Sequence, residues 1–282
     1  LQDIVNNPSR VKKLIVDELQ AVKKKYTLPR RTEIVYEAAD AAADEPEDET
    51  PDYPVHVFCS REGYFKKITP QSLRMSGEQK YKEGDGPYLH WEGSNRDELL
   101  VFTDRQQCYK TRLSDFDDSK ASLLGDYLPT KLGMDGEEKV VWACCPGDYS
   151  AHLLFFFENG KAARVELGAY QTQTRRKKLT TAYSDKSPLV SALVLSEDTE
   201  MAVCSTEGRC VVFHTASLTP KSTRSTQGVN IMTLKPKYKV EWAKPLSETT
   251  IVNAPRYRAR SLPIAGALLK EEDRGETQLS LL

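Results

Sequence analysis

The sequence predicts a mainly β, propeller-like protein of four to five blades, preceded by an N-terminal α-helix. Three observations predict it. First, the texture changes at Tyr53: short runs rich in β-branched and aromatic residues follow, split by Gly, Asn, Asp and Pro. Second, four segments share one plan, an apolar strand, a polar turn and a strand carrying basic residues. They are Val55–Phe58 with Gly63 and Tyr64–Ile68, and Leu99–Phe102 with Gln107 in the glycine place and Cys108–Leu113. The others are His152–Phe156 with Gly160 and Lys161–Val165, and Met201–Cys204 with Gly208 and Arg209–Phe213. Third, the turn positions 63, 107, 160 and 208 lie 44, 53 and 48 residues apart, the period of a four-stranded blade.

The elements follow in order. Residues 1–33 read as helical: Asn7-Pro8 supplies a cap and a proline at the first helical position, and Val11, Leu14, Ile15, Leu19, Val22 and Tyr26 recur at helical spacing. Lys23, Lys24 and Lys25 suit the negative end of the helix dipole, and Pro29 closes the element. Residues 36–52 lack apolar periodicity and carry the acidic run Asp44 to Glu49, which predicts a solvated linker. Within 53–270 the third strands are Tyr88–Trp91, Val140–Ala143, Ala192–Leu195 and Lys239–Trp242, and residues 249–263 are candidates to complete a fifth blade. Residues 271–282 read as an acidic disordered tail.

A chain of 282 residues with 39% hydrophobic and 29% charged residues can bury a substantial core. It has no run of 18 apolar residues, so no membrane span or membrane partner is expected. The net charge of −1 hides a segregation: residues 53–270 hold 31 basic and 25 acidic residues, between two acidic flanks. A basic body between acidic flanks suits a polyanion-binding surface for which those flanks compete. The six cysteines form no C-x-x-C pair and read as buried reduced thiols rather than zinc ligands. No phosphate-binding G-x-x-x-x-G-K-[ST] loop or G-x-S-x-G motif is present, and Asp115, Asp117 and Asp118 lack the spacing of a calcium loop.

Asn7-Pro8-Ser9-Arg10, Ile15-Val16-Asp17-Glu18-Leu19, Lys24-Lys25-Tyr26 and Arg30-Arg31-Thr32-Glu33-Ile34 resemble the last helix of the breakage–reunion core in bacterial type IIA topoisomerase A subunits. The resemblance runs to about residue 270 and implies that 1–35 is the helical end of that core. It implies that 53–270 is a β-pinwheel, a propeller-like ring whose blades share strands and whose basic rim binds and bends duplex DNA. Two departures shade it. The gyrase box Gln-Arg-Arg-Gly-Gly-Lys-Gly is absent, and four repeats are clear where gyrase domains carry six, which leans the reading toward a topoisomerase IV A subunit or a divergent gyrase-like relative.

On that resemblance the DNA-binding candidates are Lys66, Lys67, Lys110, Arg112, Lys161, Arg164, Arg175, Arg176, Lys177, Lys178, Arg209, Lys221, Arg224, Lys235 and Lys237. Arg175 to Lys178 form the densest cluster, and adjacent cations repel unless an anion is near. Contacts of this kind reach phosphates and carry no direct base information. The resemblance places the nucleophilic tyrosine upstream of Leu1, making this a non-catalytic part of an ATP-dependent enzyme; Arg256-Tyr257 lacks the family's flanks. ATP and magnesium belong with the partner B subunit, so no cofactor is expected in this chain. The implied partners are double-stranded DNA and a second A subunit together with that B subunit, in the bacterial cytoplasm at the nucleoid. A propeller that binds proteins without DNA is the alternative, weakened by missing Trp-Asp and Gly-His signatures.

Overall fold

The computed structural model describes residues 6–26, 50–76, 78–172 and 177–274. The chain divides between residues 49 and 50 into two units. In the first, α1 spans Pro8–Tyr26. It starts as predicted: the Asn7 carbonyl accepts from the amides of Arg10 and Val11, and Ser9 Oγ donates to Asn7 Oδ1. Most of the acidic linker and the Arg30–Ile34 segment lie outside the described residues.

The second unit is built from short antiparallel strands. In chain order they are β1 (Pro54–Ser60), β2 (Tyr64–Ile68), β3 (Pro87–Ser94), β4 (Glu98–Thr103), β5 (Cys108–Arg112), β6 (Asp126–Tyr127), β7 (Val140–Cys144) and β8 (His152–Phe157). There follow β9 (Lys161–Glu166), β10 (Lys178–Leu179), β11 (Leu189–Leu195), β12 (Glu200–Ser205), β13 (Arg209–His214), β14 (Val229–Asn230), β15 (Val240–Pro245) and β16 (Ala267–Leu268). They form four sheets of four strands, ordered β3-β1-β2-β6, β10-β5-β4-β7, β11-β8-β9-β14 and β15-β12-β13-β16. The structure therefore has four blades. Residues 249–263 make no fifth sheet.

Each blade takes a hairpin and the returning third strand from its own repeat. Its fourth strand comes from farther along: β6 follows the hairpin of blade 2 yet completes blade 1, and β10 and β14 do the same for blades 2 and 3. Neighbouring blades are thus interlocked by the chain itself. The third strands lie together on the inner side, where Tyr88 Oη of β3 donates to the Val141 carbonyl of β7 at 2.7 Å and β11 runs beside both β7 and β15. The two-residue strands form the outer edges.

Strand alternation builds the core between blades. Val55, Val57 and Cys59 of β1 meet Leu99 and Val101 of β4. The opposite face of β4, Leu100 and Phe102, meets Leu153 and Phe155 of β8. Leu154 and Phe156 then meet Met201 and Val203 of β12. Each such buried side chain contributes about 1.5–3 kcal/mol. The far face of blade 4, Ala202, Cys204, Cys210 and Val212, is covered by Leu246, Ile251, Tyr257 and Leu269 of the segment that follows. This cap includes α2 (Ala254–Tyr257) and extends into the acidic segment, because Asp273 is buried there. None of these four clusters joins blade 4 to blade 1.

Two sequence readings are corrected here. The glycine place in the second hairpin belongs to Gln106, not Gln107: its amide donates to the Thr103 carbonyl as those of Gly63, Gly160 and Gly208 do to Ser60, Phe157 and Ser205. Gln106 has φ +54°, in the left-handed region its glycine counterparts also occupy. Cys204 and Cys210 are not free thiols but a disulfide, set directly opposite each other in β12 and β13. Cys59, Cys108, Cys144 and Cys145 are free, and burial pushes the Cys59 thiol up to about 12.

Candidate nucleic-acid interface

The basic strands of the repeats do not all present their cations outward. Counted from the turn, Lys67, Lys110 and Arg164 occupy one equivalent position, and each turns to partners inside the fold. Lys67 Nζ donates to Asn95 Oδ1 at 2.6 Å and lies 3.2 Å from Asp118. Lys110 Nζ lies 3.1 Å from Glu98 and over the ring of Tyr149. Arg164 meets Asp198 at 2.7 Å and donates to the Thr215 carbonyl. Blade 4 has Val212 there, and Arg258 from the following segment replaces the cation, gripping Glu200 with two bonds of 2.6 and 2.8 Å. These charges tie each hairpin to the chain around it.

Lys66 and Lys67 are corrected as DNA contacts, being 2% and 3% exposed. Lys66 Nζ donates to the carbonyls of Lys80 and Ala121 beneath the ring of Tyr81, and burial lowers its proton affinity. The physical reason is coverage: residues 78–82 and 118–123 wrap over β2, and Ser119 N bonds to the Lys67 carbonyl. Sequence alternation treats a strand face as solvated unless another element is known to cover it. Asp118 is exposed, and it accepts from Tyr53 Oη and faces Lys67.

The other candidates divide. Arg209 lies beside Glu207 and donates to the Gly266 carbonyl, and Arg224 donates to the Ala169 carbonyl over the ring of Tyr170. Lys178 lies in β10, above the ring of Tyr109 and 3.5 Å from Asp135. Lys235 pairs with Glu207, and the half-buried Lys161 donates to Gln227 Oε1. Arg112, Lys177, Lys221 and Lys237 are exposed. Arg175 and Arg176 lie outside the described residues.

Exposed cations recur on the crossing segment that leads to each outer strand. These segments hug the hairpin strand beneath them: a Cβ at Gly125 would sit 2.2 Å from the Phe65 carbonyl oxygen, and one at Gly228 would sit 2.1 Å from that of Ala162. Only glycine allows this approach. Each segment leaves at least one cation in solvent. Lys120 is exposed on the segment of blade 1, Lys177 on blade 2, Lys221 on blade 3, and Arg256 and Arg260 on the segment over blade 4. None of these five forms a salt bridge among the described residues. Lys120, Arg256 and Arg260 were not among the sequence candidates. The signal that finds them is their place shortly before the outer strand of each repeat. Tyr257, beside Arg256, is buried and donates to Asp273. No group of three or more His, Cys, Asp or Glu among the described residues is placed to hold a metal.

Comparison with known proteins agrees with this architecture. The family model of the DNA gyrase C-terminal domain, a β-propeller, matches residues 97–122 and 201–247, which contain the hairpins of blades 2 and 4. The A subunit of DNA topoisomerase 4 from Staphylococcus aureus is 23% identical over 287 aligned positions, covering all of this chain and 36% of that protein. The chain therefore spans about a third of the length of the curated relatives it matches. The crystal structure of the C-terminal domain of DNA topoisomerase IV superposes with a TM-score of 0.62 at 20% identity, over 71% of this chain and 63% of that one. The E. coli ParC C-terminal domain gives a TM-score of 0.59 at 14% identity, over 77% and 94%.

Proposed function

The chain carries the C-terminal β-pinwheel of the type IIA topoisomerase A subunits, and on that premise we propose that it holds and bends duplex DNA along its outer edge. One observation carries the reading: every blade's crossing segment presents at least one exposed cation, and Lys120, Lys177, Lys221, Arg256 and Arg260 have no carboxylate partner among the described residues. Each such cation neutralises a phosphate and releases a condensed counterion, so affinity grows with the number of blades touched. Interlocked blades hold these charges on a rigid curved edge, and a duplex that follows the curve gains contacts that offset its bending energy. Arg112 and Lys237 extend the exposed basic surface, with Arg175 and Arg176 as further candidates. Arrays of this kind grip any sequence, because phosphates are alike.

In the complete enzyme this module would present a bent duplex to the strand-passing core, which changes supercoiling or separates linked DNA. The expected partners are a second A subunit together with the ATP- and magnesium-using B subunit, in the cytoplasm. No described helix is long and apolar enough to cross a membrane.

Two measurements test the reading. Binding to a short duplex should weaken steeply and linearly in log–log form as salt rises. Sealing a nicked plasmid with ligase while the protein is bound should then report the path of the DNA. Positive writhe means chiral wrapping as a gyrase does it, and binding without writhe means gripping alone. Absence of binding would refute the DNA reading and leave a protein-binding propeller.

A further inference from the structure

Blade 4 carries the only disulfide among the described residues, Cys204–Cys210, which joins β12 to β13 at a sequence separation of 6. On the cytoplasmic placement given above, and independently of DNA binding, we propose that this pair is a reversible thiol–disulfide site. Small-molecule or protein thiols reduce it, and its redox state sets how tightly the cap over blade 4 is held.

Its first support is a break in the repeat. The same cross-strand pair in the other hairpins is Cys59 with Phe65, Phe102 with Cys108, and Phe156 with Ala162. Each sets one aromatic ring beside a small side chain, and each packs into the core shared with the next blade. In blade 4 the ring is missing and two cysteines stand opposite each other. They face the cap instead of a blade, in one cluster with Leu246, Ile251, Tyr257 and Leu269. A pair that only filled space would follow the repeat. As a staple it gains least, because a cross-link between strands already joined by a tight turn closes a short loop. What the two cysteines add is chemistry, and disulfides in a reducing cytosol are mostly transient and redox-sensing.

The second support is the cover. Cys204 and Cys210 are 1% and 0% exposed, so a reductant reaches them only when the cap moves. The cap is thin: Leu246, Ile251, Ala267 and Leu269, packed on the pair's cluster, are themselves only half-buried. It is tied down by Asp273, which accepts from Tyr257, Val252 and Asn253, and by Arg258 on Glu200. Opening such a layer needs less than global unfolding. In the exchange, a thiolate of the reductant attacks one sulfur, the Sγ–Sγ bond breaks and a mixed disulfide forms. A second thiol of the reductant then displaces the protein sulfur, leaving the reductant as its own disulfide. Two electrons and two protons pass to Cys204 and Cys210. The freed sulfurs need more room in a close-packed cluster, and that pressure falls on Tyr257 and Leu269. Reduction therefore loosens the cap.

The test equilibrates the whole chain with mixtures of reduced and oxidised glutathione and quantifies each cysteine by alkylation and mass spectrometry. Cys204 and Cys210 should interconvert reversibly in the native protein, while Cys59, Cys108, Cys144 and Cys145 form no bond with one another. Amide exchange in 250–258 and 267–270 should quicken on reduction, and exchange in the hairpins of blades 2 and 3 should not. Asp273→Asn should speed reduction about tenfold, as for loss of one charge-assisted hydrogen bond from the cap. Cys210→Ala, which cannot form the bond, should show fast cap exchange under both conditions, with the other hairpins as the check on its folding. Three results overturn the proposal. The pair stays free in oxidised glutathione; the bond survives excess reduced glutathione in the native protein, which marks a permanent structural disulfide; or cap exchange is the same in both redox states.

Discussion

Tyr257 Oη donates to Asp273 Oδ2 at 2.6 Å, joining α2 to a residue from the acidic end of the chain. The other carboxylate oxygen accepts from the amides of Val252 and Asn253 at 2.8 and 3.2 Å. The Asp273 carboxylate thus organises the cap that seals blade 4, and the hydrogen bond from Tyr257 is the leading influence holding its pKa below the usual aspartate range. A depressed pKa contributes stability above the unfolded value, about pH 4, that is lost as pH falls through the lower folded value. Asp273→Asn should therefore melt below wild type at neutral pH, and the gap should narrow below about pH 4. Melting curves between about pH 7 and pH 3 check this; a gap constant across that range would contradict it.

The two ends of the acidic segment should behave differently on truncation. Removing 275–282 leaves Asp273 in place, and the melting temperature should hold. Removing 271–282 deletes the anchor, and the midpoint should fall by roughly a few degrees. Neutralising Asp44 to Glu49 should separately tighten DNA binding at fixed low salt if that run competes for the basic edge, and unchanged affinity would show that it does not.

Charge neutralisation should sort buried from exposed cations. Single alanine variants at Lys120, Lys177, Lys221, Arg256 and Arg260 should each reduce the slope of log affinity against log salt by about one. Lys66→Met should leave that slope unchanged, because its ammonium bonds to the Lys80 and Ala121 carbonyls. A shallower slope in Lys66→Met would mean that blade 1 opens on binding. Lys67→Met should also spare the slope, but it should unfold more readily, since Asn95 and Asp118 lose their partner.

Turn geometry predicts opposite effects at two positions. Gln106→Gly should stabilise by roughly 0.5–1 kcal/mol, replacing a left-handed side-chain residue with the type used by the other hairpins. Gly228→Ala should destabilise by more than about 3 kcal/mol, since its Cβ would collide with the Ala162 carbonyl at a positive φ. Denaturant unfolding of both variants measures this, and a neutral Gly228→Ala would mean that the crossing segment can lift off its blade.

The repeat plan was legible because its signals are local. Runs such as Leu99–Phe102 and Leu153–Phe156, and the glycines at 63, 160 and 208, declare hairpins through period and turn chemistry. The two-residue strands were not legible. Asp126–Tyr127 and Val229–Asn230 are too short for a periodic pattern and take their role only from the strand they meet. Gln106 was misread by one place because no glycine marked the turn.

The same division holds for the site. By itself the sequence determined the fold class, the four hairpins, the start of α1 and the basic character of residues 53–270, because patterning and composition act within a few residues. Only the tertiary structure decided which cations are free. A lysine beside a lysine in sequence, Lys66 beside Lys67, is bonded to carbonyls on one face and to Asn95 and Asp118 on the other. Meanwhile Lys120, Arg256 and Arg260 are left in water by segments folded over distant blades. Exposure is set by what packs on a residue from far along the chain, and desolvation is what separates a structural charge from one available to a ligand.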